Sequence, residues 1–199
     1  MAKIKHTKNE LKAQRDALRR FKRYLPTLLL KKQQLQMEMR QLEQRMEEVR
    51  GEEQRMLAGL SAWVRLFAEP VEIAGLVKLD SVTTTTGNIA GVSIPVLQEI
   101  NFSPVPMDLY GTPTWVDDGV KVVEQILRLR IENEILAEQH RLLGEELRIT
   151  SQRVNLFEKV KIPECEGNIR VIRIFLGDAQ TADVARSKLA KSKAPEVAA

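Results

Sequence analysis

The chain has 199 residues, of which 43% are hydrophobic but only nine are aromatic: five Phe, two Trp and two Tyr. That is thin provision for a globular core of this length. Thirty-one Lys and Arg against 27 Asp and Glu leave a net charge of +4, too small for bulk charge to dictate a polyanionic partner. The single cysteine, Cys165, excludes an intrachain disulfide, and with His6 and His140 as the only histidines a structural metal site is short of ligands.

No apolar run approaches the ~18 residues of a membrane span, so direct membrane insertion is not expected. The N-terminus is basic, contains Glu10 and Asp16 and lacks an apolar stretch, which fits neither a secretory signal nor a transit peptide. A soluble cytoplasmic protein is expected.

In steps of seven from Ile4 the chain reads Ile4, Leu11, Leu18, Leu25, Lys32, Met39, Met46, Glu53, Leu60 and Phe67, eight of ten apolar. A second row three residues on reads Thr7, Gln14, Phe21, Leu28, Leu35, Leu42, Val49, Met56 and Trp63. These are the inward rows of a heptad repeat in one register, predicting a coiled-coil helix from about Lys3 to Phe67, roughly 100 Å long at 1.5 Å per residue. Pro26 falls at an outward position, where a bend without a break is expected. The N-terminal helix is therefore assigned to 1–69.

Between 70 and 113 turn formers concentrate: Pro70, Gly75, Gly87, Asn88, Gly91, Pro95, Pro104, Pro106, Gly111 and Pro113. Val77 to Thr86 favours a strand, Gly87 and Asn88 a turn, and Ile89 to Ile100 a second strand. The segment reads as a short β-hairpin followed by a Pro-rich connector. Thr114 with Asp117 three residues on resembles a helix-capping box, which makes Asp117 and Asp118 first-turn partners of a helix dipole and not a catalytic dyad.

Heptads return over 114–199. One row is Val122, Leu129, Leu136, Leu143, Thr150 and Phe157, and the other is Ile126, Asn133, His140, Leu147 and Val154. A further row, Ile135, Leu142, Ile149 and Leu156, widens the apolar face. Pro163 and Gly167 are expected to interrupt the pattern before Ile169, Ile172, Leu176 and Ala179 resume it. The fold class is mainly α: a long antiparallel two-helix coiled coil with the hairpin and connector at one end.

Seam residues such as Leu11, Leu18, Leu25, Leu28, Leu35, Leu42, Val49, Met56, Trp63, Leu129, Leu136, Leu143, Leu147 and Val154 each contribute roughly 1.5–3 kcal/mol if fully buried, before chain entropy is subtracted. Lys32, Glu53, Asn133 and His140 break the seam, and polar seam residues fix register and partner choice. Antiparallel alignment places Glu53 opposite Arg128 to Arg130 and predicts an ion pair there.

Charge is segregated. Residues 1–32 carry Lys3, Lys5, Lys8, Lys12, Arg15, Arg19, Arg20, Lys22, Arg23, Lys31 and Lys32 against Glu10 and Asp16, and the tail adds Arg186, Lys188, Lys191 and Lys193. In an antiparallel pair these segments share one end, giving a positive tip suited to nucleic acid, anionic lipid or an acidic protein surface. Phosphate-binding loops, metal sites and Ser-His-Asp sets are not evident in the sequence, so no catalytic residue, metal or cofactor is expected. A prefoldin-like coiled-coil chaperone shares the helix–hairpin–helix order. A nucleic-acid-binding coiled coil would use Phe21 and Tyr24 for stacking.

Three stretches narrow the choice: Tyr24-Leu25-Pro26-Thr27-Leu28 with Leu30-Lys31-Lys32; Asn88-Ile89-Ala90-Gly91-Val92-Ser93-Ile94-Pro95-Val96; and Arg153-Val154-Asn155 with Glu158 and Ile162-Pro163. With Ile169, Ile172 and Arg186-Ser187-Lys188 in the tail, the chain resembles the D-subunit family of V-type ATPases and A/V-type ATP synthases along nearly its whole length. Leu156-Phe157 stands where the family often has a small residue, a local packing variation. The resemblance implies a non-catalytic central rotor shaft. It implies as partners a small F subunit, the A and B subunits of the catalytic hexamer, and the funnel-shaped C/d subunit above the membrane ring, with no nucleic acid. It also places the protein on the cytoplasmic side, peripheral to the membrane. The paired termini would enter the hexamer, making Lys3, Lys5, Lys8, Lys12, Arg15, Arg186, Lys188 and Lys191 the candidate hexamer contacts.

Overall fold

The computed structural model describes residues 4–60, 73–106 and 112–193. Lys3, Trp63 and Phe67 of the expected helix, together with Pro70 and Gly111 of the connector, lie outside the described residues. The element order is α1 (Lys8–Leu60), α2 (Ile73–Leu76), β1 (Val77–Ile89), β2 (Val92–Pro104), α3 (Val116–Leu156), a π-helical turn (Phe157–Lys161) and α4 (Ile162–Lys193). The chain divides into two compact units, one of Met1–Lys31 with Ile149–Ala199 and one of Lys32–Arg148.

Helix α1 starts later than about Lys3. Thr7 caps it, its Oγ1 accepting the Glu10 N–H at 3.2 Å and its carbonyl accepting the Leu11 N–H. With Glu10 at the third helical position this is the Thr-x-x-Glu spacing of a capping box. Pro26 sits on the exposed side and the helix runs through it. Pro26 leaves the Lys22 carbonyl without its N–H donor, and in the same turn the Thr27 hydroxyl donates to the Tyr24 carbonyl at 2.8 Å. From Ile4 to Leu60, every described residue of the two heptad rows except Thr7 is withdrawn from full exposure, and Leu35 and Val49 are fully buried.

The hairpin turn is not at Gly87-Asn88 but at Ala90-Gly91, with Ile89 ending β1 and pairing Val92. Both turn residues have positive φ, 51° at Ala90 and 80° at Gly91, the geometry of a type I′ turn. The shift has a parity cause. A turn at Gly87-Asn88 would put Ile89 and Ile94 on opposite faces, whereas the observed one puts Ile89, Val92 and Ile94 on one face, where all three join the core. Asn88 serves the turn from outside it, its Oδ1 accepting the Gly91 N–H at 3.0 Å. Gly87, paired with Ile94, is needed for space: a Cβ there would lie 2.7 Å from Val96 Cγ2. The 13-residue strands are about twice the usual length, and Asp80 and Gln98, unpaired in the register, are bulges that bend the ribbon.

Pro163 and Gly167 do not interrupt the second helix either. A π turn precedes Pro163, with the Ile162 N–H bonded to the Phe157 carbonyl. Before it, Leu136, Leu143, Thr150 and Phe157 recur every seven residues; after it, Cys165 and Ile172 do so again, but Phe157 and Cys165 are eight apart. The π turn absorbs that one extra residue and returns the seam to the same face. The proline, which has no N–H and crowds the preceding turn, comes where the ladder has already widened. Deleting Val160, which is exposed, is therefore expected to leave the helix intact and thermal melts within a few degrees of the parent. Deleting Glu145, where no extra residue exists, rotates the following seam outward and should cost at least ~3 kcal/mol. Circular dichroism melts of the two deletions measure the contrast.

Candidate functional site: the helix seams and their opposite charges

In the unit of residues 32–148 the two helices run antiparallel. Leu35 packs with Leu143, His140 Nε2 lies 3.2 Å from Glu43 Oε1, Arg45 Nη2 donates to Glu132 Oε1 at 2.8 Å, and Arg130 Nε donates to Glu53 Oε1 at 2.8 Å. The last is the ion pair expected for Glu53. His140 belongs to this polar edge of the seam, Lys32 is half-buried, and the Asn133 Oδ1 is buried without a hydrogen-bond partner among the described residues. Arg45 reaches both Glu132 and Glu48, and its guanidinium pKa is raised, first by the hydrogen bond to Glu132. Arg141 sits between Glu138 and Glu145 on the outer face, its pKa raised and that of Glu138 lowered, chiefly by their mutual hydrogen bonds.

The hairpin lies along these helices. Ile94 is buried with Leu35 and Leu143, and Met39, Leu42, Ile89, Ala90, Val92, Leu142 and Leu147 close around them. Of the extra apolar row of the sequence, Leu142 packs in this cluster, whereas Leu156 is exposed. Gln139, 7% exposed, donates its amide to the Pro95 carbonyl. Further along β2, Arg128 donates to the Ile100 carbonyl at 3.3 Å and stacks over Phe102 at 4.8 Å. Six residues of strand and fifteen of helix each span about 20 Å, so β2 follows α3 contact for contact.

In the unit formed by the two terminal segments the helices are also antiparallel. Lys22 Nζ bonds Glu166 Oε1 at 2.6 Å, Asn168 meets Gln14 at 3.4 Å, Phe21 packs on Phe157 at 5.1 Å and His6 on Phe175 at 4.8 Å. Val154, Cys165, Ile169 and Ile172 form the buried seam, and burial raises the Cys165 thiol pKa. Phe21 is thus a seam residue and not a stacking platform, while Tyr24 is exposed beneath Arg23. The candidate basic contacts separate into two groups. Lys5, Lys8, Lys12 and Arg15 are exposed on the N-terminal segment, which lies beside residues 168–175. Arg186, Lys188 and Lys191 stand on a stretch of α4, Gly177 to Lys193, in which every residue is exposed.

Divided this way, the charge contrast exceeds what the N-terminal run conveyed. The unit of terminal segments carries nineteen Lys and Arg against eight Asp and Glu, a net of +11, leaving −7 in residues 32–148. Among the described residues no cluster of three His, Cys, Asp or Glu is placed to hold a metal, and no helix is long and apolar enough to cross a membrane.

Antiparallel helix seams with a β-ribbon laid along one of them define a coiled-coil protein of the helix–hairpin–helix class. Residues 10–192 match the family model for the ATP synthase D subunit. The V-type ATP synthase D subunit of Borreliella burgdorferi is 47% identical over 192 residues, covering 96% of this chain and 95% of that protein. The proteins of the same name from Chlamydia pneumoniae and Chlamydia muridarum are 34% and 35% identical, covering 96% of this chain and 92% and 96% of their own lengths. The chain belongs to the ATP synthase D-subunit family.

Two substitutions test the geometry. Gln139→Leu leaves the Pro95 carbonyl without its side-chain donor and is expected to cost ~1–3 kcal/mol in urea denaturation. Glu53→Lys puts two cations together and should lose up to ~1 kcal/mol, recovered when Arg130→Glu is added, in a double-mutant cycle.

Proposed function

We propose that the chain is the central-stalk rotor subunit of a V/A-type rotary ATPase, transmitting torque between the catalytic hexamer and the membrane ion-translocating ring. The observation that carries this reading is the family match over residues 10–192, with relatives covered almost end to end. The chain is a non-catalytic member of its complex and acts by shape and surface. One asymmetric pair of helices distinguishes three equivalent catalytic interfaces, because each third of a turn presents a different face.

The partners follow from the same reading: the A and B subunits around the terminal segments, a small F subunit along the stalk, and the funnel-shaped C/d subunit towards the membrane ring. The protein is peripheral to the membrane, on the cytoplasmic side. Two features support a sheath around the terminal segments. A 17-residue stretch of helix exposed all round, with Val184 and Leu189 more than half exposed, is marginal in water without a neighbour. The +11 of its unit favours acidic surroundings. The chaperone alternative gains no support from the family match.

Co-purification with a small second subunit and a three-fold nucleotide-binding hexamer, in single copy, tests the reading; several symmetric copies per complex would refute it. Neutralising Lys3, Lys5, Lys8 and Lys12 together is expected to slow association with the hexamer about tenfold at low ionic strength. The difference should vanish near 1 M salt, where the screening length is ~3 Å. Stopped-flow association over a salt series measures it.

A further inference from the structure

The contacts expected for the terminal segments are lysine-rich, yet one of the grooves in that unit is lined by arginine. Arg15 and Arg19, one turn apart on α1, face Arg170 and Arg173 on α4 across a cleft of about 650 Å³. Leu18, Ile169 and Ile174 also line the cleft, and Ile174 is 57% exposed. Glu166, the acidic residue at its edge, is held by Lys22 at 2.6 Å. None of the four guanidinium groups has a hydrogen bond or ion pair among the described residues. Ile169 is buried and Leu18 half-buried, so four unpaired arginines around the exposed Ile174 leave both charge and apolar surface unsatisfied in one place.

We propose that this groove is the docking site for an acidic segment of the catalytic hexamer, one that sets carboxylates on both sides of an apolar side chain. The proposal rests on the central-stalk reading for the identity of the partner. The groove's chemistry specifies the rest. Guanidinium forks bind carboxylates bidentately and hold a direction, which lysine does not do. A row of arginines on each helix matches a segment with acidic residues on its two edges. The strip between them rewards an apolar side chain, whereas a nucleic-acid backbone would satisfy the arginines and leave Ile174 in water. The groove is open, so it suits a segment laid along it and not an enclosed small molecule.

The experiment compares full-length chains for binding to the purified catalytic hexamer over a salt series. The groove variant is R15Q/R19Q/R170Q/R173Q. The control, R20Q/R23Q/R153Q/K159Q, removes the same charge from exposed positions elsewhere in the unit. Helical content and melting temperature are checked for both. The groove variant is expected to weaken binding about tenfold or more and to flatten its salt dependence, with the control changed less than about threefold. A second arm uses the apolar strip: Ile174→Asn is expected to weaken binding at high salt, where charge is screened. Equal losses in the two charge variants, or no loss in the groove variant, overturn the groove while leaving the stalk reading intact. Loss of homopolymer RNA retention by the groove variant with hexamer binding unchanged overturns it in favour of nucleic acid. Failure of the wild-type chain to bind the hexamer refutes the stalk reading and takes this occupant with it.

Discussion

Apolar residues repeated every seven positions on two antiparallel helices are the constraint on which the rest depends. A seam of that kind withdraws side chains a little at a time, so its stability is a sum over layers and not a property of one centre. Few residues are then fully buried, and each local decision must keep the next layer in phase. The Thr7 cap, the polar pairs and the π turn can all be understood as devices that hold phase. The ribbon adds a third element over Leu35 and Leu143, both fully buried, whereas Ile172 in the other unit reaches the same burial without it.

What could be read from the sequence is what the seven-residue period carries. From Ile4 to Leu60 the residues of the two rows, Thr7 excepted, are withdrawn from full exposure, and the Glu53–Arg130 pair follows from counting rise per residue from the hairpin end. The hairpin turn was less legible because local and tertiary preferences disagree. Gly87-Asn88 is the stronger local signal, but Ala90-Gly91 wins because it alone sends Ile89, Val92 and Ile94 to the same side. The left-handed Ala90 costs roughly 1–2 kcal/mol, offset by burial that includes its own methyl group. At Pro163 the proline suggested an ending, while the informative signal was the eight-residue step from Phe157 to Cys165. The Thr7-to-Glu10 spacing was present as well, obscured by an apolar row that begins before it at Ile4.

The candidate surface was legible in kind but not in extent. Lysines crowd the first thirty residues and are easily counted. Arg170 and Arg173 are dispersed among apolar residues, and only the antiparallel pairing reveals that they face Arg15 and Arg19. The same pairing places the positive ends of the chain in one unit and the acidic middle in the other, turning a net +4 into +11 and −7. Composition averages such a division away.

Opposite charges on the two units bear directly on how a stalk engages unlike neighbours. A part that must turn inside a ring cannot be gripped by a few deep pockets, because each would have to be emptied at every step. Exposed charge is suited to this, since a solvated ion pair is worth little individually and is readily exchanged. Direction has to come from groups that are not equivalent around the axis, and an arginine-lined groove on one side of a helix pair is such a group. In the docking proposed above, arginine forks hold a carboxylate in one direction and so distinguish one orientation from the next, which a lysine point charge does less well. Torque requires contact of that directional kind, because a field uniform around the axis exerts none.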